Sequence, residues 1–252
     1  MSKSFRKPYR VKRKRKSILK NRVFWRGILS LVFFSVSFYF FILSPIFRIK
    51  EVSISGNPVF YEKIKKMING KNIFLVDFET IKKETLGKFP KIAQINLKRR
   101  LPDKIIGQIK ERQPVAIFNQ GEEFFFLDKE GIIFENVSDK LGLIVAKPSL
   151  IEFKMIGERV LEENIMSSII EIELKLKDNL EISIKEASVI SEDRLNIKTV
   201  EGWEVYFNPK NDLSWQLTKL KAVLDKEIPT EKRKNLEYID LRFGNLAPYK
   251  YR

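Results

Sequence analysis

The sequence predicts an α+β protein in three parts: a single N-terminal transmembrane helix, a β-α-α-β-β domain, and a mainly antiparallel β-domain flanked by helices. Three observations predict it. The stretch Gly27–Phe47 carries no charge. Segments of alternating pattern then bracket two stretches of helical period, up to Arg112. Beyond that, short β-branched and aromatic runs alternate with turn residues and two longer helical patterns. The expected boundaries are 1–26 for a basic cytoplasmic tail, 27–47 for the anchor, 48–115 for the first outer domain and 116–252 for the second.

Charge and composition narrow the function before any motif is read. The first 26 residues hold 12 Lys and Arg and no Asp or Glu, so they account for most of the formal net charge of +16. The remainder is close to balanced, and no nucleic-acid partner is expected of it. The chain has no Cys and no His. Disulfides, thiolate chemistry, the commonest general base and the usual zinc ligand sets are therefore all missing.

A helix of Gly27–Phe47 spans roughly 31 Å, close to the hydrocarbon thickness of a bilayer. Trp25 stands where an interfacial anchor belongs. The segment is long for a cleaved signal peptide and no small-x-small site follows it, so an uncleaved anchor is expected. The preceding "KRKRK" resembles a nucleic-acid or nuclear-targeting block. Beside a spanning segment it reads instead as a topology determinant that touches anionic lipid, with the N-terminus cytoplasmic and the rest of the chain outside the plasma membrane.

After the anchor, "FRIKEVSISG" reads as a strand ended by Gly56. Asn57 then serves as a cap with Pro58 at the first helical position, and Ile64, Met67 and Ile68 form the apolar stripe up to Asn69-Gly70. Asp77 caps a second helix that Pro90 ends. "KIAQINLKRR" and "KIIGQIKER" are strands joined by the "LPD" turn. The register of the first stays open, because Ile92 and Ile95 do not share one alternation.

In the second domain, "EEFFFLDKEGIIFE" reads as a hairpin whose Phe124–Phe126 run serves the core more readily than a binding patch. Leu161, Ile165, Ile169, Ile172 and Leu176 recur at helical spacing. "LEISIKEASVI", "RLNIKTV" and "WEVYFN" make an antiparallel meander. Leu213, Leu217, Leu220 and Leu224 mark a last helix before Pro229. In "YIDLRFGNLAPYKYR", Ile239, Leu241 and Phe243 alternate with Asp240 and Arg242, the pattern of a half-buried strand. Within about ten residues the sequence ends, so an uncovered outer edge is expected there.

Two blocks carry a resemblance. "IKEVSISGNPVFYEKIKKMI" followed by "FPKIAQINLKRRLPDKIIGQIKERQPVAIF" resembles a POTRA domain of the cell-division type. With a spanning helix before it and "EGWEVYFNP" and "YIDLRF" near the end, nearly the whole chain resembles the FtsQ/DivIB family. The resemblance implies a non-enzymatic scaffold at the division septum. It also implies FtsB/DivIC and FtsL as membrane partners, with further divisome proteins met through the POTRA domain.

The same resemblance implies docking of a partner strand after the "DLR" motif. The residues are Arg242, Phe243, Asn245, Leu246, Ala247 and Tyr249, with Phe243 as an aromatic anchor and Asn245–Tyr249 as the edge. Two alternatives stay open: Arg242 pairs with an acidic partner residue, or it pairs with Asp240. Pro248 removes one donor from that stretch. No cofactor, metal or catalytic residue is expected. The competing readings are a membrane-anchored enzyme acting on peptidoglycan, and a POTRA-bearing translocation component. Missing His and Cys weigh against the first, and the N-terminal spanning helix against the second.

Overall fold

The computed structural model describes residues 22–138, 142–149 and 154–252; the basic run before Arg22 lies outside them. Helix α1 (Arg22–Leu43) is long and apolar enough to cross a membrane, and none of its side chains is buried by the rest of the chain. It starts earlier and ends earlier than the charge-free stretch. Ser44 closes it, and Pro45–Phe47 make one tight 3-10 turn. Proline lacks the N–H a continuing helix needs, so the break falls there.

The next unit has the expected β-α-α-β-β order: β1 (Glu51–Ser55), α2 (Pro58–Ile68), α3 (Phe78–Lys88), β2 (Ile92–Arg100) and β3 (Lys104–Glu111). Asn57 Oδ1 accepts from Val59 N at 3.0 Å, and Asp77 Oδ1 accepts from Glu79 N at 2.9 Å. These side chains satisfy helix-start donors that have no intrahelical partner. The sheet order is β1-β3-β2, with β3 parallel to β1 and antiparallel to β2. Ile64 and Ile68 of α2 and Ile81 of α3 share one core with Ile95, Ile105 and Ile109.

A shift in pairing between Ile92 and Gln94 settles the open register. One extra residue changes the parity of the strand, so Ile92 and the pair Ile95 and Leu97 all reach the core. Gly107 sits opposite, in the middle of β3. A Cβ there would lie 2.6 Å from Asn96 O and 2.7 Å from Leu97 Cδ2. Gly107→Ala is therefore expected to cost about 2 kcal/mol through overpacking. The loss should show as faster amide hydrogen exchange across β1–β3, with the second sheet unchanged; parental protection there would refute the close approach.

Arg112 ties this unit to the next. Its backbone N–H donates to Lys91 O and its Nε to Pro90 O, while Nη1 pairs with Asp128 and, at 3.2 Å, with Glu130. The second sheet is built from β4 (Ala116–Gln120), β5 (Glu123–Leu127), β6 (Ile133–Val137), β7 (Ile144–Lys147), β8 (Ile184–Ser191), β9 (Arg194–Thr199), β10 (Glu204–Phe207), β11 (Leu236–Asp240) and β12 (Tyr249–Tyr251). Their order is β12-β11-β10-β9-β8-β7-β4-β5-β6. Two of these strands, β4 and β7, were not expected from sequence, and β12 was expected only in part, as an edge over Asn245–Tyr249.

The sheet is mostly antiparallel, but β4/β7, β7/β8 and β10/β11 are parallel. Parallel neighbours require crossovers. Helix α4 (Glu163–Leu180) supplies the one between β7 and β8, and α5 (Leu213–Lys226) the one between β10 and β11. Both helices lie on one face, where Ile169, Ile172, Leu220 and Leu224 pack with Phe118, Trp203, Phe207 and Ile239. Phe125 joins that core. Phe126 points to the other face, against Ile117 and Phe134. The Phe124–Phe126 run thus serves packing on both faces.

The final strand corrects an expectation. β11 ends at Asp240, so the alternation does not extend through Phe243 as strand. Its outer edge is not open, because β12 pairs with it antiparallel. The open edge of the sheet at this end belongs to β12. The expected docking stretch Asn245–Tyr249 is strand only at its last residue. A chain reversal must separate two antiparallel neighbours, and residues 241–248 are spent on it.

Candidate partner-binding site

Helix α5 prepares this end of the sheet. Asp212 caps it by accepting from Ser214 N at 2.8 Å and Trp215 N at 3.2 Å. Its leucine stripe seats it on β10 and β11. That seating buries Lys219 at the edge of the stripe. The Lys219 ammonium donates to three carbonyls: Leu241 O at 2.6 Å, Gly244 O at 2.8 Å and Leu246 O at 3.3 Å. One side chain thus organises the whole reversal between β11 and β12. Burial pushes its pKa below the ordinary lysine value, and the charge of Asp240 opposes that.

Arg242 is engaged within the chain. Its Nε donates to Asp240 Oδ1 at 2.9 Å and its Nη2 to Asp240 Oδ2 at 2.6 Å, a bidentate fork, and its backbone N–H donates to Oδ1 at 3.1 Å. Burial alone would raise the Asp240 pKa, but these hydrogen bonds and the guanidinium charge hold it below the ordinary carboxylate value. Of the two alternatives for Arg242, the structure has the pairing with Asp240. The guanidinium also lies 5.6 Å from the Phe243 ring centroid.

The remaining expected residues divide by position. Phe243 and Leu246 project from the reversal, 53 % and 71 % exposed, and Asn245 is exposed beside them. Ala247 instead packs against the main core, as does Tyr251. Tyr249 opens β12, 38 % exposed, its ring 5.7 Å from that of Tyr251. Phe243, Leu246 and Tyr249 therefore flank the start of an edge strand.

The direction of the backbone groups follows from one hydrogen bond. Asp240 N donates to Pro248 O at 2.8 Å, so residue 248 faces β11. Antiparallel ladders alternate residue by residue, which turns the N–H and C=O of Tyr249 outward and those of Lys250 back toward β11. The donor that Pro248 lacks is missing on the inner side. Proline leaves the outer edge intact, and the edge begins immediately after it.

Known sequences bear on this end of the molecule. The sequence model of "Cell division protein FtsQ/DivIB, C-terminal" matches residues 116–242, half of the chain. The chain belongs to the FtsQ/DivIB family. Among relatives, the Cell division protein DivIB of Clostridium tetani is 24% identical over 191 residues, 71% of each chain. The DivIB of Clostridium acetobutylicum is 30% identical over 107 residues, 41% of this chain and 43% of that one. The Cell division protein FtsQ of Geotalea daltonii is 28% identical over 167 residues, 64% of this chain and 59% of that one. This chain thus spans less than half of the C. acetobutylicum DivIB. The family match covers β4 to β11 and stops at Arg242, just before the exposed residues Phe243, Leu246 and Tyr249.

Sequence reading missed Lys219 and Tyr251. A signal for Lys219 existed: with Gln216 it borders the apolar stripe of α5, where a polar residue is either solvated or put to use inside. Tyr251 sits in a strand of three residues, too short for any periodicity to register.

Proposed function

We propose that this FtsQ/DivIB-family chain is a non-enzymatic, membrane-anchored scaffold of the division septum. It takes up an extended segment of a partner along the outer edge of β12. The observation that carries the reading is this edge strand, with outward-facing groups at Tyr249 and three exposed apolar side chains beside it. Such an edge offers main-chain hydrogen bonds for affinity and side-chain pockets for choice. The partner proposed from the family resemblance is the FtsB/DivIC–FtsL pair. The POTRA-like unit remains free for other divisome proteins.

The orientation proposed has the N-terminus in the cytoplasm and both sheets outside, on the charge step across α1. A reporter fused after Arg252 should be active only on the outer side; activity in the cytoplasm would reverse the reading.

Docking is tested at Phe243. It is more than half exposed and holds no core position, so Phe243→Ala should leave the fold intact. A buried aromatic anchor contributes about 2 kcal/mol at an interface, roughly thirtyfold in affinity. Titration of the purified chain with the FtsB–FtsL pair reads this out. Parental affinity of the Phe243→Ala chain, with parental unfolding, would move the docking site elsewhere on the sheet.

A further inference from the structure

We propose that the turn Lys71–Leu75 of the first outer unit, together with Ile46, lies in the interfacial layer of the lipid bilayer that α1 crosses. The POTRA-like unit is thereby seated on the membrane rather than tethered above it. The inference rests on the reading of α1 as a spanning helix and adds a second element to the membrane contact.

The first observation is that no linker separates α1 from this unit. Asn72 Nδ2 donates to Phe41 O at 2.9 Å and Ile42 O at 2.8 Å. These are last-turn carbonyls, which have no partner within a helix. Asn72 Oδ1 accepts from Phe74 N at 2.8 Å, and Ile73 N donates to Phe47 O at 2.8 Å. Three rings close the joint: Phe41 to Phe47 at 5.4 Å, Phe41 to Phe74 at 5.8 Å and Phe47 to Phe74 at 5.1 Å between centroids. On its other side the turn is fixed to β2 by Arg99, whose guanidinium donates to Ile73 O and Val76 O, both at 2.7 Å.

The second observation is what this fixed turn displays. Leu75 is 62 % exposed, and Phe74 and Ile46 are also exposed. Lys71 and Arg48 stand exposed beside them, suited to lipid phosphates at the interface. The apolar surface of α1 therefore continues without interruption onto the outer unit.

The third observation is length. From the last charge, Arg26, the apolar part of α1 runs only Gly27–Leu43, about 26 Å of helix. A hydrocarbon core is about 30 Å thick. The shortfall of a few Å is filled if Ile46, Phe47, Phe74 and Leu75 complete the apolar band. The occupant proposed is therefore lipid, the one partner that the adjoining helix already requires.

The absence of cysteine makes the test direct. The full chain carrying Leu75→Cys is spin-labelled and reconstituted in vesicles of phosphatidylethanolamine and phosphatidylglycerol. Collision with oxygen, which partitions into lipid, is compared with collision with a water-soluble nickel chelate. Two reference labels accompany it: Val36→Cys within α1, and Val59→Cys at the start of α2. Because β1 leads away from α1 and α2 returns, with Gly70 N on Ile49 O, Val59 marks the far end of the unit.

The expected result at Leu75 is high oxygen and low nickel accessibility, on the side of Val36 and opposite to Val59. Nickel accessibility equal to that at Val59, with Val36 in lipid, overturns the proposal and leaves the spanning helix standing. Low accessibility to both reagents at Leu75, the sign of protein burial, also overturns it. A water-exposed Val36 overturns the spanning reading and this proposal together.

Discussion

Tyr249→Pro is expected to abolish capture of the partner strand while the chain unfolds at the parental temperature. The N–H of Tyr249 faces away from β11, so proline removes a donor from the docking edge and none from the sheet. Residue 249 is extended and on an edge strand, where the fixed φ of proline is tolerated. An incoming strand loses one hydrogen bond and is left with an unsatisfied carbonyl against the ring. Together these cost about 3 kcal/mol, more than a hundredfold in affinity. Tyr249→Ala, which keeps the donor and loses only the ring, should cost less. A Tyr249→Pro chain that binds the FtsB–FtsL pair as the parent does would show that the partner does not pair with this edge.

Lys219→Met is expected to release the reversal between β11 and β12. Methionine fills the volume of the stem but donates nothing to the carbonyls of Leu241, Gly244 and Leu246. Replacing one charged donor shared by three acceptors should cost about 3 kcal/mol. The loss is local, because opening the reversal lets water reach those carbonyls while α5 keeps its leucine contacts. Amide exchange should quicken at residues 241–252 and remain slow in β8 and β9. Partner capture should fall with it, although Lys219 lies within the protein and not on its edge. Unchanged protection at Arg252, whose N–H donates to Asn235 O, would show that β12 holds its place without the lysine.

The sequence made some elements legible and hid others for identifiable reasons. Asn57-Pro58 and Asp77 announce helix starts through chemistry contained in one or two residues. The stripes Ile64–Ile68 and Leu213–Leu224 repeat often enough to fix a face. β2 resisted because its bulge breaks the parity on which alternation depends. β4 and β7 are only five and four residues long, and β4 opens on three consecutive buried residues, so Ala116–Phe118 reads as an apolar run without period. At the candidate site, the alternation from Ile239 to Leu241 marks a real strand, but it cannot say where the strand stops. The Asp240–Arg242 fork holds the chain as it leaves the sheet, and Phe243 is turned to solvent. Phe243, Leu246 and Tyr249 could be nominated from the resemblance. The buried lysine that holds them is marked only by its place at the border of the apolar stripe; its role is hidden, because its three acceptors are backbone atoms that leave no trace in the sequence.

The order of strands from β4 through β7 to β12 also bears on how the molecule comes to be. β7 lies against β4, and from β8 to β12 each strand lies against the one before it in the chain, so every newcomer meets a template already laid down. A chain made from its N-terminus can therefore assemble this part of the sheet vectorially, without waiting for a distant segment. In that order β12 follows α5, whose Lys219 stands beneath the reversal that leads into it. The edge proposed for a partner is the strand that such an assembly lays down after β11. A partner that pairs with β12, as proposed, would depend on every strand laid down before it, and so would discriminate against a half-folded molecule.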